Sequence, residues 1–365
     1  MRLILTCAFS ILVATQATAQ ESMALSDPND DKVPAVMARA VDDFIKPGYR
    51  RFVTEARELE NAIGDLCRDA SEERLTAARN AFDDTVDAWS NIEILRIGPV
   101  IEDNRFERIL FYPDRKSTGL KQVQAVLAKP DDSVTSVATL NGKSVAMQGL
   151  GAAEYVLFGT GSETLLSDSG QFRCRYAEAI AGNLARVGDE LVDAWDDPEG
   201  IQAAWKTPGA DNPVFRDNQE AAKALLGVLV HAAETVRDQR IEGFYKGPNK
   251  RALPKQAIYW RSGNSLRSIT ANVEGIRALL QQSGLVELLP EDSRSVVSSI
   301  DFVTNAIIRV ANETTADVSR AVEDPVEMAR LDFLLFNTRD LILRLNNDLG
   351  GAMGLSAGFS FSDGD

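Results

Sequence analysis

Glu154 is the residue that most invites a chemical reading. It stands inside the small and apolar run Gln148-Gly-Leu-Gly-Ala-Ala-Glu-Tyr-Val-Leu-Phe158. An unpaired charge buried among such neighbours is expensive, so Glu154 is expected to face a bundle interior or a cleft and to meet a basic partner there. Arg96, just before Gly98-Pro99, is one candidate. Arg261 and Arg267, in the polar stretch Trp260-Arg-Ser-Gly-Asn-Ser-Leu-Arg267, are two more, with Ser265 between them as a further neighbour. The plainer alternative makes Glu154 an ion pair or hydrogen-bonded strut that holds parts of the fold together. Gly149 and Gly151 each cost a helix about 1 kcal/mol relative to Ala, which points to close backbone approach, a bend, or room for something bound.

His231 and Glu234 form the second constellation. Their i, i+3 spacing puts both side chains on one helical face, and such pairs serve as metal ligands in carboxylate-rich bundles. Catalytic zinc needs three protein ligands, however, and His231 is the one histidine of the chain. A packed or solvated histidine beside an ordinary glutamate is the simpler reading. No His-Glu-x-x-His and no Gly-x-Ser-x-Gly elbow occurs, so the common helical zinc peptidases and serine hydrolases lack their residues. Gly149-x-Gly151 follows no strand and is not a nucleotide fingerprint. Among 54 acidic residues no catalytic carboxylate pair stands out. Iron held by hard oxygen ligands would draw on Glu154, Asp114, Asp363 or Asp365, the last two at what reads as a solvated chain end. Trp89 and Trp260 could line a cleft, although packing in a core is the commoner use of such rings.

Arg2, the apolar run Leu3 to Ala14, and Ala17-Thr18-Ala19 read as a secretory signal peptide over residues 1–19. Its apolar run is too short for a membrane span, and no later segment is long and apolar enough to be one. Cleavage removes one basic residue and takes the net charge from −15 to −16. That charge argues against nucleic acid or an anionic membrane surface as the partner. Export leaves Cys67 and Cys174, expected to pair as a disulfide. Two buried free thiols are the alternative.

The elements that must position these groups are helical almost throughout. Ser71 reads as an N-cap with Glu72 and Glu73 behind it, and Leu75, Ala78, Phe82, Val86 and Trp89 follow at steps of three and four. A run over Val41 to Cys67 is interrupted by Pro47-Gly48, which predicts a kink or two pieces. Further helices are predicted near 121–127 and over 133–158, 171–196, 214–240, 256–283, 292–313 and 325–347. Thr207-Pro-Gly-Ala-Asp-Asn-Pro213 is the clearest linker, and Tyr245-Lys-Gly-Pro-Asn249 reads as a connection. The expected fold is all-α, with two helical-bundle domains over 34–206 and 213–365. The echo of Gly151-Ala-Ala-Glu154 in His231-Ala-Ala-Glu234 hints at internal duplication.

The run Gln148 to Gly159 resembles the signature helix of the imelysin-like family of exported bacterial proteins. Ala88-Trp89 leading to Arg96-Ile-Gly-Pro99, Phe111-Tyr112-Pro-Asp114 and the terminal Gly358-Phe-Ser-Phe-Ser-Asp-Gly-Asp365 fit the same family, and together these pieces cover nearly all of the mature chain. The resemblance implies two related helical bundles, a place in the periplasm and a part in iron acquisition. Taken with an apolar helix that carries one carboxylate and two glycines, it leads to the expectation of a ligand cleft between the bundles, with Glu154, Gly149, Gly151, Trp89, Arg96, Tyr112, Arg261, Ser265 and Arg267 around it. Some members are described as metallopeptidases, with a Gly-x-His-x-x-Glu motif proposed to hold metal. Here that motif falls on Gly149, Gly151 and Glu154, with glycine in place of histidine, so only Glu154 remains as a ligand to iron or another divalent metal. A binding protein for an iron-related ligand is therefore the leading expectation. A metallopeptidase, or a scaffold that docks an envelope protein, is the alternative.

Overall fold

The computed structural model describes residues 29–355; the segment 1–19, read above as a signal peptide, and the terminal stretch with Asp363 and Asp365 lie outside the described residues. The chain enters the fold through α1 (Val33–Arg39), a π-helical turn over Ala40–Ile45, and α2 (Lys46–Arg68). Pro47 has no N–H to give, and the wide turn just ahead of it takes up the mismatch, so the path continues where a kink or break is expected. Ser71 then caps α3 (Glu72–Ile92), its side chain accepting from the Arg74 N–H, with Glu72 and Glu73 at the positive end of the helix dipole. The predicted stripe of Leu75, Ala78, Phe82, Val86 and Trp89 is buried on this helix.

Helices α4 (Thr118–Ala128), α5 (Leu150–Phe158), α6 (Gln171–Asp196), α7 (Asn218–Glu234), α8 (Ser265–Gln282), α9 (Ser295–Glu313) and α10 (Pro325–Leu343) follow. Among the described residues there is no strand. Two predicted helices are shorter than their patterns. The 133–158 stretch is broken by the Asn141-Gly142 turn, which ends a single α-helical turn over Val137–Leu140, and then by Gly149, whose extended backbone precedes α5, the one longer helix of the stretch. The 256–283 stretch begins its helix at Ser265, because Tyr259 and Gly263 take left-handed φ values of 52° and 77° that no α-helix can contain.

Helices α2 and α6 pack antiparallel. Arg57 pairs with Asp189 and Arg50 with Asp196, while at the far end Cys67 and Cys174 form the expected disulfide. Helix α3 lies against α2 on one side and α8 on the other, and α8, α9 and α10 pack in succession. The α3–α8 crossing is tight. A Cβ on Gly275 would stand 2.2 Å from the Asn91 carbonyl oxygen, so only glycine allows the two backbones this close. Asn272 donates to the Ser90 carbonyl at 2.6 Å beside it, and Arg267 reaches Asp84 at 2.8 Å. Buried apolar residues run as one continuous cluster through both halves of the chain. No described helix is long and apolar enough to cross a membrane.

Candidate functional site

The site begins with the short helix α5. Its N-cap, Gly149, docks on the Arg105–Ile109 turn so closely that a Cβ would lie 2.3 Å from the Ile109 carbonyl oxygen. One residue into the helix, Gly151 is exposed, and a Cβ there would meet nothing within 4 Å. The two glycines thus do different work: the first permits contact and the second leaves space. One turn on, the Glu154 carboxylate is 4% exposed. The Tyr259–Asn264 turn wraps around it, closed by the Asn264 N–H on the Tyr259 carbonyl at 3.1 Å. Successive N–H groups of Arg261 and Ser262 donate to Glu154 Oε1 at 2.9 and 3.0 Å. The Ser262 hydroxyl lies 3.2 Å from the same oxygen and 3.1 Å from the Tyr259 carbonyl, so its single proton serves one of them at a time. Paired N–H groups of this kind make an anion-binding nest, here filled by the chain's own carboxylate. Burial pushes the Glu154 pKa up, against the opposing pull of the Arg261 charge and the N–H donors.

Arg261 Nη1 is 3.6 Å from Glu154 Oε2, and the guanidinium lies over the rings of Trp260 and Tyr155, 4.4 and 5.2 Å from their centroids. It faces a cleft of about 870 Å³ walled by residues from 110–155 and from 238–261, with Gly149, Gly151, Glu154 and Tyr112 in its lining. The Tyr112 hydroxyl lies 3.1 Å from the carbonyls of both Gln239 and Gln256 and fixes the wall by donating to one of them. Lining acids are engaged nearby: Asp238 and Glu242 by Arg237, and Asp114 by the N–H groups of Thr118 and Leu120 at the start of α4. The lining cations Arg115, Lys246, Lys250 and Lys255 are exposed. The cleft therefore offers positive charge to a ligand on a protein whose net charge is −15.

Four of the expected site residues lie elsewhere. Trp89 is fully buried between Phe52 and Phe106 and is a core ring. Ser265 gives its hydroxyl to the Ile258 carbonyl, bracing the turn from behind. Arg267 is spent on Asp84 and Asp87 of α3. Arg96 does not meet Glu154; it stacks on Phe106 at 4.4 Å and faces a separate cavity. Of the three arginines weighed as partners of Glu154, the fold selects Arg261.

Sequence reasoning misses a buried ion pair. Arg240 donates to Glu93 Oε1 at 2.8 Å, with side chains 0% and 2% exposed, and Asn272 donates to the same oxygen at 2.8 Å. Arg240 also lies over the Tyr112 ring at 4.8 Å, so this pair backs the cleft wall. Burial alone would lower the Arg240 pKa, but Glu93, with Tyr112 and Tyr259, raises it. The two residues stand 147 positions apart, and no local pattern marks them. The basic cleft wall did carry a signal: between Glu242 and Glu274 the chain has no acidic residue, yet it carries Lys246, Lys250, Arg251, Lys255, Arg261 and Arg267.

Metal chemistry of the peptidase kind asks for at least three ligands. Among the described residues, no group of three or more His, Cys, Asp and Glu side chains could hold an ion. His231 Nδ1 and Glu234 Oε2 are 3.0 Å apart on α7, and His231 lines the second cavity rather than the cleft beside Glu154. The described residues do not fit a protein-built metal centre.

Comparison with known proteins agrees with this architecture. The family model described as Imelysin matches residues 45–344. The crystal structure of an imelysin-like protein from Psychrobacter arcticum superposes with a TM-score of 0.74 at 17% identity, covering 90% of this chain and 98% of that one. That of a candidate iron-regulated protein A precursor from Parabacteroides distasonis gives 0.72 at 16% identity, covering 90% and 97%. At such identities the likeness is one of fold. No curated protein matches the sequence.

Proposed function

The chain belongs to the imelysin family, and from that premise we propose that it is an exported, periplasmic binding protein of iron acquisition that holds an anionic iron chelate in the cleft beside Glu154. The observation that carries this reading is the Arg261 guanidinium, set over two rings at the wall of a cleft of about 870 Å³, a volume typical of small-molecule sites. In this reading Glu154 positions: it holds the 259–264 turn and aims Arg261, while Arg261, Lys246, Lys250 and Lys255 meet the ligand's negative charge. Metal coordination then belongs to the ligand. In this reading the cleft lies between the two expected bundles, one wall drawn from 110–155 and the other from 238–261, and domain junctions are favoured places for such clefts.

Trp260 supplies the test. Trp89, Trp195 and Trp205 are buried, whereas Trp260 is half-exposed in the cleft lining. Titration of the mature protein with ferric citrate is expected to quench Trp260 fluorescence saturably, with affinity lowered at least about tenfold by Arg261→Gln and the signal removed by Trp260→Phe. Absence of saturable quenching, or quenching indifferent to Arg261→Gln, overturns the proposal.

A further inference from the structure

A second cavity, of about 600 Å³, is bounded by the 93–97 stretch, the 213–216 segment and α7. Its wall is largely apolar: Ile94, Ile97, Val214, Phe215, Ala224 and Val228. That wall is preformed. Asn212 Oδ1 accepts from the N–H groups of Val214 and Phe215 at 2.7 and 2.8 Å, its Nδ2 donates to the Ala204 and Thr207 carbonyls at 2.7 and 2.8 Å, and the Phe215 ring meets Trp205 edge-on at 5.6 Å. The charged groups of the lining do not cancel. Glu220 is held by Arg216, which gives it a backbone N–H at 2.8 Å and its side chain at 2.9 Å, and Glu93 is spent on Arg240 and Asn272. Arg96 makes no hydrogen bond or ion pair with the described residues, and its guanidinium, laid on the Phe106 ring at 4.4 Å, keeps accessible surface in the lining. Burial pushes the Arg96 pKa down to about 10, with Glu93 pulling it up and Arg240 pushing it down, so the group stays charged at neutral pH. Two guanidiniums thus share one buried carboxylate, and Arg96 is the one left over. A partly buried cation without a matched anion is costly, and its planar fork of donors is the natural partner of a carboxylate.

We propose that this chamber is a binding site for an apolar monocarboxylate, of the class of the short and medium-chain fatty acids. The ligand's carboxylate pairs with the Arg96 fork, and its hydrocarbon chain fills the space bounded by Ile97, Phe215 and Val228. An alcohol of the same length would gain the apolar contact and leave the Arg96 charge unmet. An amine would bring a second positive charge towards Arg96, and the free oxygens of Glu93 and Asn272, sealed from the chamber, are out of its reach. Lys223, exposed in the same lining, adds to the positive potential that an incoming anion meets. The site is distinct from the Arg261 cleft and does not depend on what that cleft holds.

The test is isothermal titration of the mature protein with octanoate, 1-octanol and octylamine, which share one chain and differ in the head group. Octanoate is expected to bind saturably, and each of the others at least about tenfold more weakly. Arg96→Gln is expected to weaken octanoate by at least about tenfold and to leave 1-octanol unchanged, a split that a merely structural role for Arg96 would not produce. Gly227→Leu is a second variant: a Cβ at Gly227 would only touch the His231 ring, at 3.9 Å, so the added side chain occupies the chamber, and leucine is a far better helix former than glycine. It is expected to abolish octanoate binding while melting no lower than wild type, whereas Arg261→Gln, in the other cleft, is expected to leave octanoate binding unchanged. No binding of octanoate by wild type overturns the proposal. Equal binding of 1-octanol and octanoate overturns the role of Arg96, and binding untouched by Arg96→Gln and Gly227→Leu, or lost with Arg261→Gln, overturns the location.

Discussion

Glu154 and Ser262 stand 108 positions apart in the chain, yet one carboxylate oxygen of the first takes the backbone N–H of the second at 3.0 Å and shares its hydroxyl. The contact ties the middle of α5 to the turn that precedes α8. It separates two properties of Glu154, its acceptor oxygen and its charge, that substitution can remove one at a time.

Glu154→Gln keeps the acceptor and removes the charge. Below the ordinary value of 4.5, Glu154 is protonated whether the chain is folded or not. Because burial raises the folded-state pKa, the stability of the neutral form is fully present there and is lost as pH rises through the raised value. Thermal melts are expected to coincide for wild type and Glu154→Gln near pH 4, with Glu154→Gln melting progressively higher towards pH 7. A constant difference across that range would contradict the burial argument. Glu154→Ala instead strands the N–H groups of Arg261 and Ser262, at about 1–3 kcal/mol for each buried donor left without a partner, at every pH.

Gly149 and Gly151 are expected to respond in opposite senses. Gly149→Ala drives a Cβ into backbone oxygens of Ile109 and Arg108, at 2.3 and 2.7 Å, and should cost about 1–3 kcal/mol or more in denaturant titration. Gly151→Ala meets open space on a helix and should stabilise by about 0.5–1 kcal/mol, while narrowing the cleft enough to weaken ferric citrate.

Removing one partner of the Glu93–Arg240 pair should be far worse than removing both. Glu93→Ala leaves Arg240, 1% exposed, as an uncompensated buried charge, at about 3–5 kcal/mol. In Glu93→Leu combined with Arg240→Met much of that loss should return, and a double-mutant cycle in urea measures it. Additive losses would show that the pair is not coupled.

The helical class, the Ser71 cap, the α3 stripe and the disulfide were legible because each rests on local rules: a capping residue, a 3.6-residue period, and two cysteines left to find one another. Within the site, Glu154 was legible as a polar residue in an apolar run, and Trp260-Arg261 as part of a dense polar stretch. What the pattern could not give was the choice of partner. Arg96, Arg261 and Arg267 look alike in sequence, and only the left-handed turn at Tyr259 and Gly263 decides which of them meets Glu154. Helix lengths over 133–158 and 256–283 were overread for the same reason: apolar spacing continued through residues whose backbone could not.

The backbone contact between Gly275 and Asn91 also bears on how the molecule comes apart. A crossing at which backbone meets backbone, pinned by the Asn272 side chain on the Ser90 carbonyl, has little slack; it either persists or is lost whole. Helices α3 and α8 should therefore open together, with the amides of Ser90–Ile92 and Asn272–Ile276 exchanging with solvent hydrogen only in the slowest, global event. The 243–264 segment, held by turns rather than by such a crossing, is left as the part that can yield first when a ligand enters the cleft.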